Sequence, residues 1–506
     1  MPASPRPSRR APARLLCAAL GVALACAACG RERAPRTLLL VTFDTLRADF
    51  VGAYGGALAP TPALDALARE GAVFERAIAA APSTIPSHAT LMTGLPARRH
   101  SAGARNGDTR LEGATTVAER LAAAGWRTGA FVSNAVLQRR SGLDRGFAHY
   151  DERLPETEGT RLLFERLAPD TVAAALAWLA AQDDADVFLW VHLQDPHGPY
   201  TPPREWLERV PPVEGGAAAR ALPASGRDNP RDAIPAYQVV GDERTAAQYV
   251  RRYAAEIGFA DAAFGELARA VRARGEAAIV ATADHGESLG EGHFWFQHGQ
   301  ATTPELARVP LVVVAPGIAP QRRGELVGHV DVAPTLLALA GVAPSASASA
   351  GAERRGLALV DALRSGAPLP ERTLFCDGVG ETSAYRLRSW VRASGFGARS
   401  AARAAAAFDA GDRGALHVDG ARAPATGGEP GAGGGGRADG GAGGRWEPGV
   451  DAALVDEIAA YLRDEVDVAP ASMSPETLER LRALGYLGDE SAARSARDGG
   501  AADAER

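Results

Sequence analysis

Between residues 37 and about 345 the chain alternates short apolar runs with helix signatures. That alternation restricts it to an α/β domain built on a large, mainly parallel central sheet flanked by helices. The runs 37–44 (TLLLVTFD), 130–134, 187–193 (VFLWVHL), 278–284 and 311–316 are mostly apolar and rich in β-branched residues, the pattern of buried strands. Helix signals lie between them. Thr61-Pro62 puts a proline at a first helical position, with Gly71 past the end. Thr116 and Glu119 form a capping box whose helix runs to Gly125. A long helical run extends from Arg244 to about Arg274, and a shorter one from Pro334 to Ala340 is stopped by Gly341. In such sheets the site lies at the carboxyl ends of the strands. Asp44 and Asp284 both end strands, so their carboxylates are expected to converge.

Composition narrows the function. With 46% hydrophobic and 23% charged residues, the 506-residue chain can bury a sizeable core. Lysine is absent, the formal net charge is −6, and no basic tract follows the first residues. Nucleic acid and anionic surfaces are therefore not expected partners. Residues 1–28 read as a signal peptide of lipoprotein type: Arg6, Arg9, Arg10 and Arg14, then a short apolar stretch, then Cys26-Ala27-Ala28-Cys29-Gly30. Cys29 is the expected lipidation site; an ordinary cleaved leader is the alternative. Loss of those four arginines takes the charge from −6 to −10. The expectation is an exported protein, periplasmic or at the cell surface, that meets the membrane only through a lipid anchor. Beyond Cys29 only Cys376 remains, which excludes a disulfide framework in the body and cysteine-based zinc clusters.

The expected domains are 36–345 (the catalytic domain), 346–396 (the C-terminal part of the α/β body), 397–446 (flexible), 447–488 (a small helical C-terminal appendage) and 489–506 (a disordered tail). Eleven of the 18 residues 427–444 are glycine, which sets the flexible segment apart.

Three elements carry chemistry. Asp44, at a strand end, is placed to bind a cation, although an N-cap or loop role explains it equally well alone. Asp284-His285-Gly286-Glu287 ends a second strand and offers a carboxylate beside an imidazole, with Gly286 expected to permit a sharp turn. In Ser83-Thr84-Ile85-Pro86-Ser87-His88, Pro86 suits a first helical turn and Gly94 its stop. Thr84 is then expected just ahead of a helix N-terminus, where free N–H groups favour an anionic substrate. A metal on its oxygen would make the hydroxyl a nucleophile; a plain N-cap is the competing reading.

Taken together, these elements over roughly residues 36–345 resemble the sulfatase family of the alkaline phosphatase superfamily. Asp44 matches the family's first metal aspartate, Thr84 to Gly94 its Cys-x-Pro-Ser-Arg…Thr-Gly signature, and Asp284-His285 its second metal pair. Asp195-Pro196-His197-Gly198-Pro199-Tyr200 resembles a segment whose histidine faces the substrate, and Asp331-Val332-Ala333-Pro334-Thr335 a mainly structural run. The family cysteine that matures to formylglycine is Thr84 here, the family arginine is His88, the second aspartate of the first motif is Thr45, and a Gly-Lys-x-His segment is replaced by Val132 to Val136. This combination is similar to the threonine-nucleophile relatives, the lipoteichoic-acid synthases and phosphoethanolamine transferases.

The resemblance implies an alkaline-phosphatase-like sandwich. It also implies one divalent metal ion (Ca²⁺, Mg²⁺ or Mn²⁺, with Zn²⁺ a further candidate) held by Asp44, Thr84, Asp284 and His285, and an anionic sulfate or phosphate ester as substrate. Thr84 would attack, and His197 or His298 would protonate the leaving oxygen. His88 and Asn106 are candidate substrate-binding residues, each with a plain structural alternative; Ser83 and Ser87 are weaker nucleophiles. Two other functions stay open. One is a phosphodiesterase or phosphoryl-type transferase, which a second metal on Asp195, His197 or His329 would favour. The other is a catalytically silent binding protein.

Overall fold

Thr37 to Phe43 are each 1% exposed or less, so the Leu-Leu-Leu-Val run of Arg36–Phe43 (β1) has no solvent face and sits at the centre of a sheet. The computed structural model describes residues 36–462 apart from 104–105, 107–109, 155–164, 216–218, 228–229, 344–355, 379–380, 387–388, 395–416, 423–446 and 449–451. Cys29 with the leader before it, residues 463–488 of the expected helical appendage and the tail lie outside the described residues.

In chain order the further strands of the main sheet are Ala72–Ile78 (β2), Arg127–Phe131 (β3), His149–Asp151 (β4), Val187–Leu193 (β5) and Glu276–Ala283 (β6). A two-stranded ribbon, Ser288–Leu289 (β7) and Trp295–Gln297 (β8), interrupts them. Arg308–Val309 (β9), Leu311–Val314 (β10) and Gln321–Gly328 (β11) complete the nine-stranded sheet, in the order β11-β2-β10-β6-β1-β5-β3-β4 with β9 beside β2. β6, β1, β5, β3 and β4 run parallel, and only β9 and β10 are antiparallel to the rest. The mainly parallel α/β expectation holds. β2 and β11 escape the apolar-run criterion because Glu75, Arg76 and Arg322 break their pattern. Their outer position in the sheet tolerates that: Glu75, Arg76 and Arg322 are not buried, and the Arg322 and Glu75 side chains pair at 3.1 Å.

The expected helices form. Thr116 and Glu119 make their reciprocal capping bonds at the start of Val117–Ala123, and Thr245 and Gln248 do the same for Ala246–Arg274. Gly129 lets β3 approach Ala168–Ala180, since a Cβ there would lie 2.5 Å from the Trp178 ring.

Helix Pro62–Glu70 takes its cap from a distant element. Thr61 makes no side-chain cap bond. Instead Asp261, on the long helix, accepts the Ala63 and Leu64 N–H groups at 2.8 Å each. Burial pushes the Asp261 carboxyl up to about 7, above its ordinary 3.8. A raised folded-state pKa on an acid means its stability contribution is complete below the unfolded value and is lost as pH rises through about 7. Between pH 5.5 and 8 the wild type is therefore expected to lose roughly 2 kcal/mol relative to Asp261→Asn. Urea unfolding of both proteins at the two pH values checks this; a pH-independent difference would refute it.

A second, antiparallel sheet packs on the first. Its strands are Leu374–Gly378 (β12), Glu381–Arg386 (β13), Ser389–Ser394 (β14), His417–Arg422 (β15) and Glu447–Pro448 (β16), followed by helix Ala452–Leu462. β15 falls within the stretch read from sequence as flexible; its ladder partner is β14. A buried network fastens this unit to the main domain. Arg98 donates to Asp377 at 2.8 Å and to Thr382 at 3.1 Å, and Tyr461 donates to the other Asp377 oxygen at 2.6 Å. Asp377→Ala would break this buried ion pair by removing its acid, at a cost of about 3–5 kcal/mol. Denaturant melts are expected to show that loss, with proteolysis concentrated after residue 370; an unchanged midpoint would refute it.

Candidate active site

The carboxyl ends of β1 and β6 are tied together, because the Asp284 N–H donates to the Phe43 carbonyl at 3.2 Å. Asp44 and Asp284 thus emerge side by side from neighbouring strands, both fully buried. Asp284 Oδ1 is held by the N–H groups of Thr45 (3.0 Å) and His285 (2.8 Å), which leaves Oδ2 without a hydrogen-bond partner. Asp44 Oδ2 accepts from Asn134 at 2.8 Å, and its Oδ1 is also unpartnered. Thr45 holds its position with φ 57°, a left-handed conformation costly for a β-branched residue, and its carbonyl is pinned by the Tyr253 hydroxyl at 2.6 Å.

His285 completes the group. Its Nδ1 lies 2.9 Å from the Gly286 carbonyl, which can only accept, so Nδ1 carries the proton and Nε2 presents a lone pair. That Nε2 is 3.5 Å from Asp284 Oδ2 and 4.0 Å from Asp44 Oδ1. Gly286 is needed for a reason other than the expected turn. Its φ is not positive, but a Cβ would lie 2.0 Å from the Glu305 carbonyl. Asp44, Asp284 and His285 offer ligand atoms within 4.8 Å of one another. Burial raises both carboxyls above their usual range, the expected state of two anions sharing a dry pocket. Two orphaned carboxylate oxygens and one imidazole lone pair in a buried cluster are a fitting set for a divalent cation.

Thr84 is the first residue of helix Thr84–Thr93, one place further in than expected, with Ser83 at the cap. Its hydroxyl is fully buried and has no hydrogen-bond partner. Asn106 supports this helix tip: its Oδ1 accepts the Ile85 N–H at 2.7 Å, a capping contact that the sequence reading left as a substrate contact or a turn.

His88 is tied to the protein through both ring nitrogens. Nδ1 donates to the Thr84 carbonyl at 2.8 Å, and Nε2 accepts from Thr42, which itself accepts from Trp190. Burial holds its pKa down to about 3, so the ring is neutral and structural in this arrangement. The expected contact with a substrate oxyanion has no free nitrogen to make it.

His197 and His298 stand together beside His285. Ring centroids are 4.9 Å apart for His197–His298 and 4.5 Å for His285–His298. His197 Nδ1 is 2.7 Å from the Gly198 carbonyl. His298 Nδ1 is 3.2 Å from Glu287 Oε1, and Tyr200 donates to Glu287 Oε2 at 3.0 Å. Burial pushes the Glu287 carboxyl up to about 8 and both imidazoles down, His197 to about 3.

His329 is spent on the backbone at Ala80 and Ala283, and Asp195 accepts the Ala168 N–H, so neither is drawn into the cluster. Residues the sequence reading left without roles are Glu287, Tyr200 and His192. Glu287 and Tyr200 lie inside quoted motifs and His192 in the apolar run 187–193, but spacing alone does not show which way each points.

A family model described as Sulfatase matches residues 36–342. The chain is 26% identical over 343 residues to the "Uncharacterized sulfatase YidJ" of Escherichia coli (strain K12), covering 60% of this chain and 67% of that one. It is likewise 26% identical over 320 residues to the N-sulphoglucosamine sulphohydrolase of Homo sapiens, covering 60% of each. Among solved structures, the phosphonate monoester hydrolase of Agrobacterium radiobacter superposes with a TM-score of 0.57 at 21% identity, over 72% of this chain and 87% of that one.

Proposed function

From the premise that this chain belongs to the sulfatase family and is a hydrolase of ester bonds, we propose that it cleaves a sulfate or phosphate ester with Thr84 as nucleophile. The observation that carries this reading is a buried, unpartnered Thr84 hydroxyl at a helix N-terminus, in a chain whose strand-end carboxylates also keep unpartnered oxygens. One divalent cation would be held by Asp44, Asp284 and His285; when bound it would acidify the Thr84 hydroxyl and offset charge on the transferred group.

The chain's own residues do the rest. The first-turn N–H groups of helix Thr84–Thr93 and its dipole draw the anionic group in. Thr84 Oγ1 releases its proton to solvent and attacks sulfur or phosphorus in line, and the bond to the leaving oxygen breaks. His298 is the preferred donor to that oxygen, because burial raises the Glu287 carboxyl to about 8, and in its protonated form it donates to Nδ1 and leaves the ring proton on Nε2. His197 is less suited, since its Nδ1 proton is committed to the Gly198 carbonyl and Nε2 is left with a lone pair. Water then cleaves the Thr84 ester. Export and lipidation at Cys29 belong to the same proposal, and radiolabelled palmitate incorporated by wild type but not by Cys29→Ala would support them.

The deciding experiment assays the purified protein against aryl sulfates, phosphate mono- and diesters and phosphonate monoesters, with and without Mg²⁺, Ca²⁺, Mn²⁺ and Zn²⁺. Metal-dependent turnover of a sulfate or phosphate monoester is expected. Turnover of diesters alone would select the phosphodiesterase reading, and turnover of none would select the binding-protein reading.

A further inference from the structure

His192 has no role in any of the motifs above, yet its surroundings fix its chemistry. It is the penultimate residue of β5 and pairs in register with Thr42 of β1, one turn of the pleat before Asp44. The Ser133 hydroxyl donates to the His192 carbonyl at 2.6 Å, which uses its single proton. Ser133 Oγ also lies 3.1 Å from His192 Nδ1, so that contact requires the proton to sit on Nδ1. The lone pair is then on Nε2.

This Nε2 is fully buried, has no hydrogen-bond partner and lies 3.4 Å from Asp44 Oδ2. A lone pair facing a carboxylate oxygen in a dry pocket is repulsive, and a cation between them reverses the sign. His192 also falls within 4.8 Å of ligand atoms on Asp284 and His88. His88 can be set aside, because Thr84 and Thr42 occupy both its nitrogens. Asp284 is shared with the Asp44 and His285 group.

We infer that His192 is a further ligand of the cation, giving a donor set of two carboxylates and two imidazoles, and that this set selects Mn²⁺ or Zn²⁺ over Ca²⁺ and Mg²⁺. Hard alkaline-earth ions take oxygen ligands, whereas imidazole suits the transition ions. Ser133 is the positioning residue that fixes the tautomer, the usual role of a group bonded to a ligand's other nitrogen. The inference rests on the metal-site reading proposed above.

The test uses metal-stripped full-length protein titrated calorimetrically with Zn²⁺, Mn²⁺ and Ca²⁺ alone, and the visible absorption of the Co²⁺ form. Wild type is expected to bind Zn²⁺ and Mn²⁺ more tightly than Ca²⁺. His192→Ala should lose more than about 100-fold in Zn²⁺ affinity and change the Co²⁺ spectrum, and Ser133→Ala should lose about 10–100-fold. If His192→Ala does not fold, as judged by circular dichroism, the Ser133→Ala affinity decides. Unchanged Zn²⁺ affinity and Co²⁺ spectrum in a folded variant, or tighter Ca²⁺ binding by wild type, overturns the inference. Should Asp44→Ala abolish binding while His192→Ala leaves it intact, only the His192 assignment falls. Should wild type bind no divalent ion, the metal-site reading falls with it.

Discussion

Thr84→Ala is expected to lower kcat/KM by at least roughly 10⁴-fold while leaving the protein folded, the scale seen when a nucleophile is deleted from an otherwise intact site. The hydroxyl makes no hydrogen bond within the protein, so its removal leaves no donor or acceptor stranded. Alanine is also well tolerated in a first helical turn. The stability cost is then mainly the buried methyl group, about 1 kcal/mol or less. Thr84→Ser keeps the hydroxyl and loses only that methyl, so it should retain measurable turnover. Steady-state kinetics on the best substrate from the screen, with a thermal melt of each variant, checks the expectation. If the alanine variant keeps more than a tenth of the activity, another group carries out the attack and Thr84 is only part of the helix tip.

Asp284→Asn is the second large effect, and it has two parts of opposite sign. Turnover and metal binding should both collapse, and excess metal should not restore them, because the orphaned Oδ2 carboxylate oxygen is gone. Yet in EDTA the variant should be the more stable protein, by about 1–2 kcal/mol, the usual gain when a site held against its own stability is relaxed. The wild type buries Asp44 and Asp284 together, and burial with their mutual repulsion raises the Asp284 carboxyl above its ordinary range. Asparagine keeps an oxygen for the Thr45 and His285 N–H groups while removing that charge. Metal added at about 100 times its dissociation constant should stabilise wild type by roughly 2.7 kcal/mol and the variant not at all. Melting curves in EDTA and in metal report both parts. A variant less stable than wild type in EDTA would mean that the two carboxylates are not in conflict.

Much of the fold was legible because its central strands are buried on both faces and spell continuous apolar runs. β1, β5 and β6 are read directly from such runs, and the capping box at Thr116 is read from two residues three apart. β2 and β11 were not legible, since outer strands tolerate Glu75, Arg76 and Arg322 and lose the signal. The second sheet was missed for a related reason: its strands from Leu374 to Ser394 mix polar and charged residues among the apolar ones, and β15 and β16 are set off by glycine- and alanine-rich stretches.

For the site, sequence alone settled which chemical groups the chain owns and that Asp44 and Asp284 end strands while Thr84 lies at a helix start, because strand ends and helix starts are local features. Which nitrogen of each histidine faces the pocket was decided only in three dimensions. His88 turned inward to Thr84 and Thr42, Asn106 became a helix cap, and His192 came to face Asp44, because each ring is oriented by a hydrogen-bond partner far away in the chain. A side chain's identity is written at its own position, but its tautomer and aim are set by whatever the fold brings within about 3 Å of it.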